Sequence, residues 1–235
     1  MTATTDFDAA IRDTDLSLIA VGTPFDGQEI DLQYIRAVEG QIGDVVKTKD
    51  SYHTVIVKST VVPGTTEDVV LPILEEASGK TAGSDFGVGM NPELLKEGEA
   101  IDDFMYPDRI VLGGIDELSI DALDAHYEAF PDTDKIRTTP RTAEMIKYTE
   151  NSLLATLISF SNEIGNLCAA IGGVDVTEVM EGVHLDKRFS PILDAGRVRP
   201  SSLSYIEAGC GFGGSCFPKD VKALITYGKN KDQPM

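Results

Sequence analysis

The chain has 235 residues, enough for one large domain or two smaller ones, and 42% of them are hydrophobic, which is sufficient for a sizeable core. It carries 39 acidic and 20 basic side chains, and the resulting net charge of -19 repels nucleic acids and anionic membranes. We therefore expect no nucleic-acid partner and no membrane partner. The acids are spread along the whole chain, which favours adaptation to a halophilic cytoplasm over an ordinary acidic protein.

The three cysteines are Cys168, Cys210 and Cys216. An odd and sparse set of cysteines argues against a disulfide framework and is typical of a reducing compartment. No apolar run in the sequence has the length and character expected of a membrane span, and the first residues do not resemble a signal peptide. These features predict a soluble, cytoplasmic protein.

In the first part of the chain, short apolar runs of strand length alternate with segments of helical periodicity. The predicted strands are 16–21, 54–57, 85–90, 109–113 and 135–138, and the predicted helices are 6–15, 31–46, 65–77 and 118–130. This alternation predicts an α/β fold with a mostly parallel sheet of the Rossmann type. Such a sheet binds ligands at the carboxyl ends of its strands, where Thr23 follows the first one.

The sheet is expected to be only part of a dinucleotide-binding domain. No Gly-x-Gly-x-x-Gly follows a first strand, and the acidic residue that normally binds the ribose is also missing. Residues 1–139 therefore resemble a dinucleotide-binding style of fold without its most diagnostic segment.

The pattern changes to a long apolar helix from residue 142, and two glycines end it after 171. A helix this long and this apolar is expected to be buried on more than one side, in a helical core or a dimer interface. A shorter helix follows at 176–183, then an irregular stretch, then a helix that starts at Val221. Residues 140–235 are predicted to form an all-helical domain.

A glycine-rich loop precedes Cys216. Four of the six residues 209–214 are glycine, which lets the main chain approach a ligand closely. Lys219 and Asp220 follow the thiol, an arrangement that suits an activated nucleophile. The simpler interpretation is a flexible loop with a packed cysteine. Cys210 and Cys168 are interpreted as structural, and the spacing of Cys210 and Cys216 fits no common zinc site, so no metal is expected.

Lys147 and Asn151 are one turn apart on the long helix and therefore lie on one face of it. A cation and an amide donor in this arrangement can hold an oxygen on which charge develops. The alternative is a solvated pair at a helix edge.

Residues 211–220, Gly-Phe-Gly-Gly-Ser-Cys-Phe-Pro-Lys-Asp, resemble the catalytic-cysteine signature of the UDP-glucose/GDP-mannose dehydrogenase family. Five further segments resemble the family in its own order. They are Val-Gly-Thr-Pro at 21–24, Lys-Ser-Thr at 58–60, Asn-Pro-Glu-Leu-Leu-Lys-Glu-Gly at 91–98, Pro-Asp-Arg-Ile-Val-Leu-Gly at 107–113, and Ala-Glu-x-x-Lys-x-x-x-Asn at 143–151. Six motifs in one order are far more specific than any one of them. Relative to the family, the chain is expected to lack a segment at each end. The resemblance implies that residues 1–139 are the carboxyl-terminal part of an NAD-binding, Rossmann-like domain and that residues 140–235 are the central, dimerisation domain, with helix 142–171 as the contact between two copies of the chain.

The resemblance implies oxidation of the primary alcohol of a nucleotide sugar to a carboxylate, with NAD as the cofactor and Cys216 as the nucleophile that carries a thiohemiacetal and then a thioester. It assigns the developing oxyanion to Lys147 and Asn151, and the ordering of water to Asp220. It also implies that Thr60 and Glu97 hold the catalytic water and contact the nicotinamide, and that Thr23 and Lys219 contact the cofactor. The residues that it places against the substrate are Glu93, Leu94, Leu95, Gly213 and Arg188, of which Arg188 comes from a partner subunit.

By this resemblance UDP-glucose is the favoured substrate. GDP-mannose stays open as the alternative, because the part of the family that reads the base is missing. A second hypothesis is a catalytically inactive remnant that keeps the dimerising helix but binds NAD poorly without a phosphate-binding loop. A third is a cysteine hydrolase, although no histidine lies near Cys216 in the sequence.

Overall fold

The computed structural model describes residues 2–234. Within this range five strands form one sheet, in the spatial order in which they follow along the chain. The strands are Leu16–Ile19 (β1), Thr54–Val57 (β2), Gly87–Met90 (β3), Arg109–Gly114 (β4) and Asp134–Thr138 (β5). The α/β class and the parallel-dominated, Rossmann-like sheet predicted from the alternating pattern are confirmed.

One strand pair departs from the parallel arrangement. β4 runs antiparallel to β3, with Met90 opposite Gly113 and Gly89 opposite Gly114, whereas the other neighbours are parallel. The two strands lie very close together at this point, since a Cβ atom on Gly89 would lie 2.4 Å from the carbonyl oxygen of Gly113. Glycine at position 89 therefore permits the close approach of the two strands.

Helices join the strands and cover the sheet. The helices that precede the long one are Phe7–Arg12 (α1), Gln33–Val46 (α2), Leu71–Ser78 (α3), Ala100–Met105 (α4) and Glu117–His126 (α5), and a π-helical segment, Thr66–Val70, leads into α3. The predicted helix at 65–77 is thus a π-helical turn followed by an α-helix. The short helix α4 has no counterpart among the predicted elements.

The core of the sheet-containing part is aliphatic. α2 presents Ile35, Ile42 and Val46 to it at helical spacing, and β2 is buried on both faces because each of its residues is covered. A strand buried on both sides reads as a continuous apolar run, which is why β2 was predicted with its observed bounds.

Three further helices follow: Pro140–Ile171 (α6), Val176–His184 (α7) and Cys216–Asn230 (α8). Between α7 and α8 the chain forms a small hairpin of Ile192–Leu193 (β6) and Gly196–Arg197 (β7), and a 3-10 helix, Ser201–Tyr205. The prediction that the last helix starts at Val221 is wrong, because α8 starts five residues earlier, at Cys216 itself.

The chain forms two compact units. The first comprises the described residues of Met1–Tyr148 together with those of Ala223–Met235, and the second is Thr149–Lys222. In the first unit Tyr148, Ile30 and Leu224 share an apolar cluster. In the second unit Met180, Leu203 and Ile206 form the buried centre, with Leu157 and Ile164 of α6 against it.

The long helix α6 is less buried than its composition predicts. Ala143, Tyr148, Ala155 and Cys168 are buried, but an apolar stripe of Leu153, Phe160, Leu167 and Ile171 is 55–63% exposed. These four positions fall on one side of a helix. One chain therefore does not cover this side of α6, and burial of the stripe in a dimer interface stays a prediction. By length and composition α6 could also cross a membrane, a property that apolar helices of soluble proteins share.

Two buried glutamates differ in their surroundings. Glu144 on α6 accepts hydrogen bonds from the Gly64 and Thr66 amides at 2.5 and 2.8 Å and from the Thr66 hydroxyl at 2.7 Å. Burial raises its pKa to about 7, against the lowering effect of these donors. Glu39 on α2 is fully buried, and among residues 2–234 neither of its carboxyl oxygens has a hydrogen-bond partner. Burial alone raises the pKa of Glu39 to about 8.

We predict that these raised pKa values make folding stability fall as pH rises. Between about pH 4.5 and pH 8 the folded state keeps a proton on Glu39 that the unfolded state releases. The free energy of unfolding is therefore unaffected by Glu39 titration below about pH 4.5 and falls as the pH rises towards about 8. Replacing Glu39 by Leu should increase the free energy of unfolding at pH 8 by about 2–4 kcal/mol and flatten the pH dependence. Urea unfolding at several pH values measures both effects. The matched control is Asp44→Asn, which changes an exposed acid on the same helix. A Glu39→Leu variant whose free energy of unfolding depends on pH as strongly as that of the parent would contradict the prediction.

The second prediction concerns Glu144. In a Glu144→Gln variant the amide group must face at least one backbone N–H that now donates to a carboxylate oxygen. We expect a loss of about 1–3 kcal/mol in the free energy of unfolding at pH 8, because a buried donor is left without an acceptor. Glu163→Gln changes an exposed acid on the same helix and should have little effect. Equal unfolding midpoints for both variants would refute a stabilising role for the hydrogen bonds that Glu144 accepts.

Candidate functional site

The carboxyl ends of β1, β2 and β3 lead into the segments that carry predicted site residues. Thr23, which is buried, donates a hydrogen bond through its Oγ1 to the carbonyl oxygen of Thr60 at 2.7 Å. The Ser59 hydroxyl donates to the carbonyl oxygen of Val21 at 2.7 Å. The structure therefore joins the first two of these segments, and it places the predicted cofactor contact Thr23 directly against Thr60. Parallel strands of an open α/β sheet expose their ligand-binding edge in this way.

The third segment is fixed by the side chain of Asn91, which immediately follows β3 and is buried. Its Oδ1 accepts hydrogen bonds from Lys58 Nζ at 2.8 Å and from the Tyr127 hydroxyl at 2.5 Å. Its Nδ2 donates to the carbonyl oxygen of Val111 at 2.8 Å. Asn91 thus connects the end of β2, the strand β4 and the residue that follows α5, and it sets the direction in which the chain leaves β3.

Two residues after Asn91, Glu93 meets the candidate catalytic lysine. Lys147 Nζ lies 3.5 Å from Glu93 Oε2, and the other carboxylate oxygen of Glu93 accepts from the Leu95 amide. Lys147 is only 6% exposed. A buried ammonium requires a partner of opposite charge, and Glu93 is that partner in the absence of a ligand.

The other predicted residues of this segment are more open. Leu94 and Leu95 are half-buried, and Glu97 is exposed. The neighbouring Lys96 forms ion pairs with Glu99 and Asp103 at 3.0 and 3.2 Å, which ties this exposed stretch to α4. Glu97 therefore has a free approach to solvent, and the structure does not bring it into contact with Lys147.

In the second unit the predicted residues around the thiol also converge. Asp220 is 1% exposed, and its carboxylate accepts from Asn151 Nδ2 and from Lys219 Nζ, both at 2.6 Å. Cys216 starts α8, and Asp220 follows it by about one turn of the same helix. Asp220 thus lies inside α8 and not at its N-terminus.

The thiol of Cys216 is exposed, and its Sγ lies 3.8 Å from the Ser215 hydroxyl oxygen. Cys210 is also exposed, whereas Cys168 is buried in α6. In the loop before Cys216, Gly211 and Gly214 have positive φ angles of 82° and 73°, a backbone conformation that other residues rarely adopt. The glycines therefore shape this loop as the sequence predicted.

The predicted residues Gly213 and Arg188 are exposed and lie apart from these contacts. Arg188 forms a bidentate pair with Asp186 two residues earlier, at 2.7 and 3.0 Å, and this pair holds the pKa of the Asp186 carboxyl well below its usual range. In residues 2–234 the hydrogen bonds and the ion pair of Arg188 are made with Asp186, not with another predicted site residue.

Sequence reasoning missed three groups that shape the site. Lys58, Tyr127 and Glu144 were either left without a role or not noted. Glu144 was present in the motif at 143–151, and its spacing to Lys147, three residues, places both near one face of α6. Tyr127 gave no signal, because nothing in the sequence indicates that the end of α5 returns to Asn91.

Each unit carries residue types that suit such chemistry: the first has the buried ammonium of Lys147, and the second has the exposed thiol of Cys216 and the Asn151–Asp220 contact. No cluster of three or more His, Cys, Asp or Glu that could hold a metal occurs in residues 2–234. For NAD, the fit is partial: the Thr23–Thr60 contact lies at the sheet edge where nicotinamide dinucleotides bind, but the glycine-rich phosphate loop of that fold does not occur in this sequence.

Comparison with known proteins shows two family matches. Residues 1–131 match the NAD binding domain of the UDP-glucose/GDP-mannose dehydrogenase family, and residues 141–235 match its central domain.

Similar proteins include both kinds of enzyme that the family is named for. The GDP-mannose 6-dehydrogenase of Pseudomonas syringae pv. tomato is 49% identical over 95% of this chain and 48% of its own length. The UDP-glucose 6-dehydrogenase AglM of Haloferax volcanii is 42% identical over 95% of this chain and 50% of its own. The structure of a UDP-glucose dehydrogenase from Pyrobaculum islandicum superposes with a TM-score of 0.85 at 42% identity, covering 97% of this chain and 49% of that one.

The chain thus spans about half the length of the curated relatives it matches. Nearly all of that span is similar at 42–49% identity, and two consecutive family domains match it in order. The chain belongs to the UDP-glucose/GDP-mannose dehydrogenase family, whose cofactor is NAD.

Proposed function

We propose that this chain supplies the catalytic part of a nucleotide-sugar 6-dehydrogenase, which oxidises the primary alcohol of a UDP-glucose or GDP-mannose sugar to a carboxylate. The observation that carries the proposal is the buried contact of Asn151 and Lys219 with Asp220, four residues after the exposed thiol of Cys216. A nucleophile and a carboxylate one turn apart on α8, with an amide donor from α6 on that carboxylate, suit thioester chemistry.

In this proposal NAD supplies the acceptor for the two hydrides that leave the sugar carbon. The sulfur of Cys216 adds to the aldehyde carbon, and the resulting thiohemiacetal becomes a thioester when the second hydride leaves. Lys147 and Asn151 stabilise the oxygen on which negative charge develops. Asp220, with Thr60 and Glu97, orders the water that cleaves the thioester and releases the acid and the thiol. Thr23 and Lys219 contact the cofactor, and Glu93, Leu94, Leu95 and Gly213 contact the substrate.

The two candidate substrates differ in sugar and base but present the same reacting group, a primary alcohol. Sequence identity is higher to the GDP-mannose relative, whereas the solved UDP-glucose dehydrogenase superposes with a TM-score of 0.85. The motifs do not separate the two substrates; UDP-glucose is proposed first and GDP-mannose as the alternative, and the same experiment tests both.

An inactive fragment is the competing function, and a specific observation favours it for the isolated chain. A dinucleotide pyrophosphate normally rests on a glycine-rich loop and a helix N-terminus, and this sequence contains no such loop after a first strand. We expect a loss of NAD affinity of about several kcal/mol, enough to prevent useful binding at cellular concentrations.

A test separates these functions. NADH formation from UDP-glucose and from GDP-mannose is measured with the chain alone and with the chain joined to the flanking segments of a full-length relative. We expect turnover only in the joined form, and Cys216→Ser should lower its rate of acid formation more than about 100-fold, since the nucleophile is gone. Cys210→Ser, the matched exposed thiol, should retain most activity. Unchanged acid formation by Cys216→Ser would refute the role of the thiol.

We also propose that two copies of the chain associate through the exposed apolar stripe of α6. The stripe contains Leu153, Phe160, Leu167 and Ile171, and apolar surface of this extent on a soluble chain is typical of a subunit interface. A second copy offers the same stripe, so a symmetric pair buries both. Such a pair also gives the exposed Arg188 a neighbouring subunit to reach.

The double variant Phe160→Asp and Leu167→Asp should convert the dimer to a monomer, because it places charges in the apolar contact. Sedimentation analysis at several concentrations measures the mass, which for one chain is 25.3 kDa. Asn166→Asp, which adds a charge on the opposite side of α6, should remain dimeric. A monomeric parent chain, or a dimeric double variant, would contradict the proposal.

A further inference from the structure

The loop that leads into α8 carries two thiols, and the proposed chemistry uses only one of them. Cys210 and Cys216 are both free and exposed, whereas the third cysteine, Cys168, is buried in α6. Packing therefore explains Cys168 but does not explain Cys210. Exposed free thiols are the ones that oxidants reach. Five residues separate the two exposed thiols, so the chain itself keeps each of them at a high effective concentration for the other.

The loop between the two thiols turns back on itself. The rings of Phe212 and Phe217 meet edge to face, with their centroids 6.4 Å apart. Phe212 is two residues after Cys210, and Phe217 directly follows Cys216. The ring contact therefore brings the chain beside one thiol towards the chain beside the other. A disulfide requires Cα atoms about 4.4–6.8 Å apart, and a loop that is already folded back needs only a local change to meet that requirement.

The loop also has the freedom to make this change. Gly211 and Gly214 lie between the thiols and have the left-handed φ angles of 82° and 73° that reverse the chain. A Cβ atom added to Gly209, Gly211 or Gly213 would have no atom of residues 2–234 within 4 Å, apart from its own neighbours in the chain. A segment with so few packing contacts rearranges at low cost. The start of the loop is held, since the Gly209 amide donates to Asn162 Oδ1 at 2.8 Å.

We propose that Cys210 and Cys216 form a reversible disulfide within one chain when they meet a hydroperoxide, with Cys210 as the thiol that resolves oxidised Cys216. The disulfide follows from the loop alone. Its consequence is a nucleophile that peroxide switches off and a thiol reductant restores, and this consequence rests on the proposed function of Cys216.

One hydroperoxide is consumed for each disulfide. The thiolate of Cys216 attacks a peroxide oxygen, an S–O bond forms as the O–O bond breaks, and the leaving oxygen takes a proton to give water or an alcohol. The thiolate of Cys210 then attacks the oxidised sulfur, an S–S bond forms as the S–O bond breaks, and hydroxide leaves and takes a proton to give water. The two sulfurs lose two electrons, which reduce the peroxide. Without Cys210, the sulfenic acid on Cys216 stays open to further oxidation that thiols do not reverse.

Two surface thiols that react independently would behave differently. They would link separate chains, or each would advance to a sulfinic acid. Removal of Cys210 would then leave the oxidation of Cys216 unchanged. The products of oxidation therefore distinguish a resolving thiol from an unrelated exposed cysteine.

The deciding experiment is peptide mapping of the 235-residue chain after treatment with hydrogen peroxide in dilute solution. Remaining thiols are blocked with iodoacetamide in denaturant, and chymotrypsin cuts after Phe212, between the two cysteines. We expect the peptides that carry Cys210 and Cys216 to be joined until dithiothreitol separates them, in the parent chain and equally in Cys168→Ser. A disulfide between separate chains, a disulfide that includes Cys168, or oxidised Cys216 without a link to Cys210 would overturn the proposal.

Cys210→Ser tests the protective role of the second thiol. At the same peroxide dose, sulfinic and sulfonic forms of Cys216 should rise at least about tenfold over the parent chain, because the sulfenic acid has no neighbouring thiol to condense with. Cys168→Ser, the matched cysteine replacement, should stay at the level of the parent. Equal over-oxidation of Cys216 in the parent and in Cys210→Ser would overturn the proposal.

The consequence for catalysis is measured in the chain joined to the flanking segments of a full-length relative. Peroxide should lower NADH formation by the parent at least about tenfold, and dithiothreitol should restore most of it, whereas the loss in Cys210→Ser should not be reversed. Equal recovery in the two would overturn the role of Cys210. If the joined form produces no NADH before oxidation, the proposed function fails, while the peptide map still decides the disulfide.

Discussion

The candidate site depends on one buried amide. Asn91 accepts two hydrogen bonds and donates a third, and its partners come from β2, from β4 and from the end of α5. Because β4 runs antiparallel to β3, its carbonyl oxygen at Val111 faces the side of β3 from which Asn91 leaves. The Asn91 side chain thus links the end of β3 to the antiparallel strand β4 and fixes the direction of the backbone after β3. The hydrogen bonds of Asn91 fix the backbone just after β3, and this positions Glu93, two residues later, near Lys147.

Burial alone does not make a glutamate functional, as the two buried carboxyls show. Glu144 has three donors from one turn, so it joins α6 to the start of the π-helical segment and supports the helix that carries Lys147. Glu39 has no such donors and lies among the aliphatic residues of α2. The first stabilises the site through its contacts, whereas the second costs stability whenever it is ionised. Periodicity in the sequence places both on buried faces and cannot distinguish them.

The sequence predicted most of the regular elements for reasons that are visible in the structure. β2 is a continuous apolar run because it is buried on both faces, and α2 shows helical periodicity because one side packs on the core. The direction of β4 was not predictable, since strand direction depends on which connection the chain takes around the sheet, and the short helix α4 exposes most of its apolar residues. The start of α8 at Cys216 was missed because glycine, serine and proline around the thiol predict a loop.

The candidate residues that were predicted carry local motifs, and those that were missed act through tertiary contacts. Cys216, Asp220, Asn151 and Lys147 stand at fixed spacings on helices, whereas Lys58 and Tyr127 are 69 residues apart and meet only at Asn91. A separate question is raised by the net charge of -19, which should repel a nucleotide diphosphate. Salt screens distant surface acids beyond about 8 Å at physiological ionic strength. At the sheet edge, short-range contacts such as that of the buried Lys147 ammonium with Glu93 at 3.5 Å are not screened in this way, so the acidic surface alone does not exclude an anionic substrate.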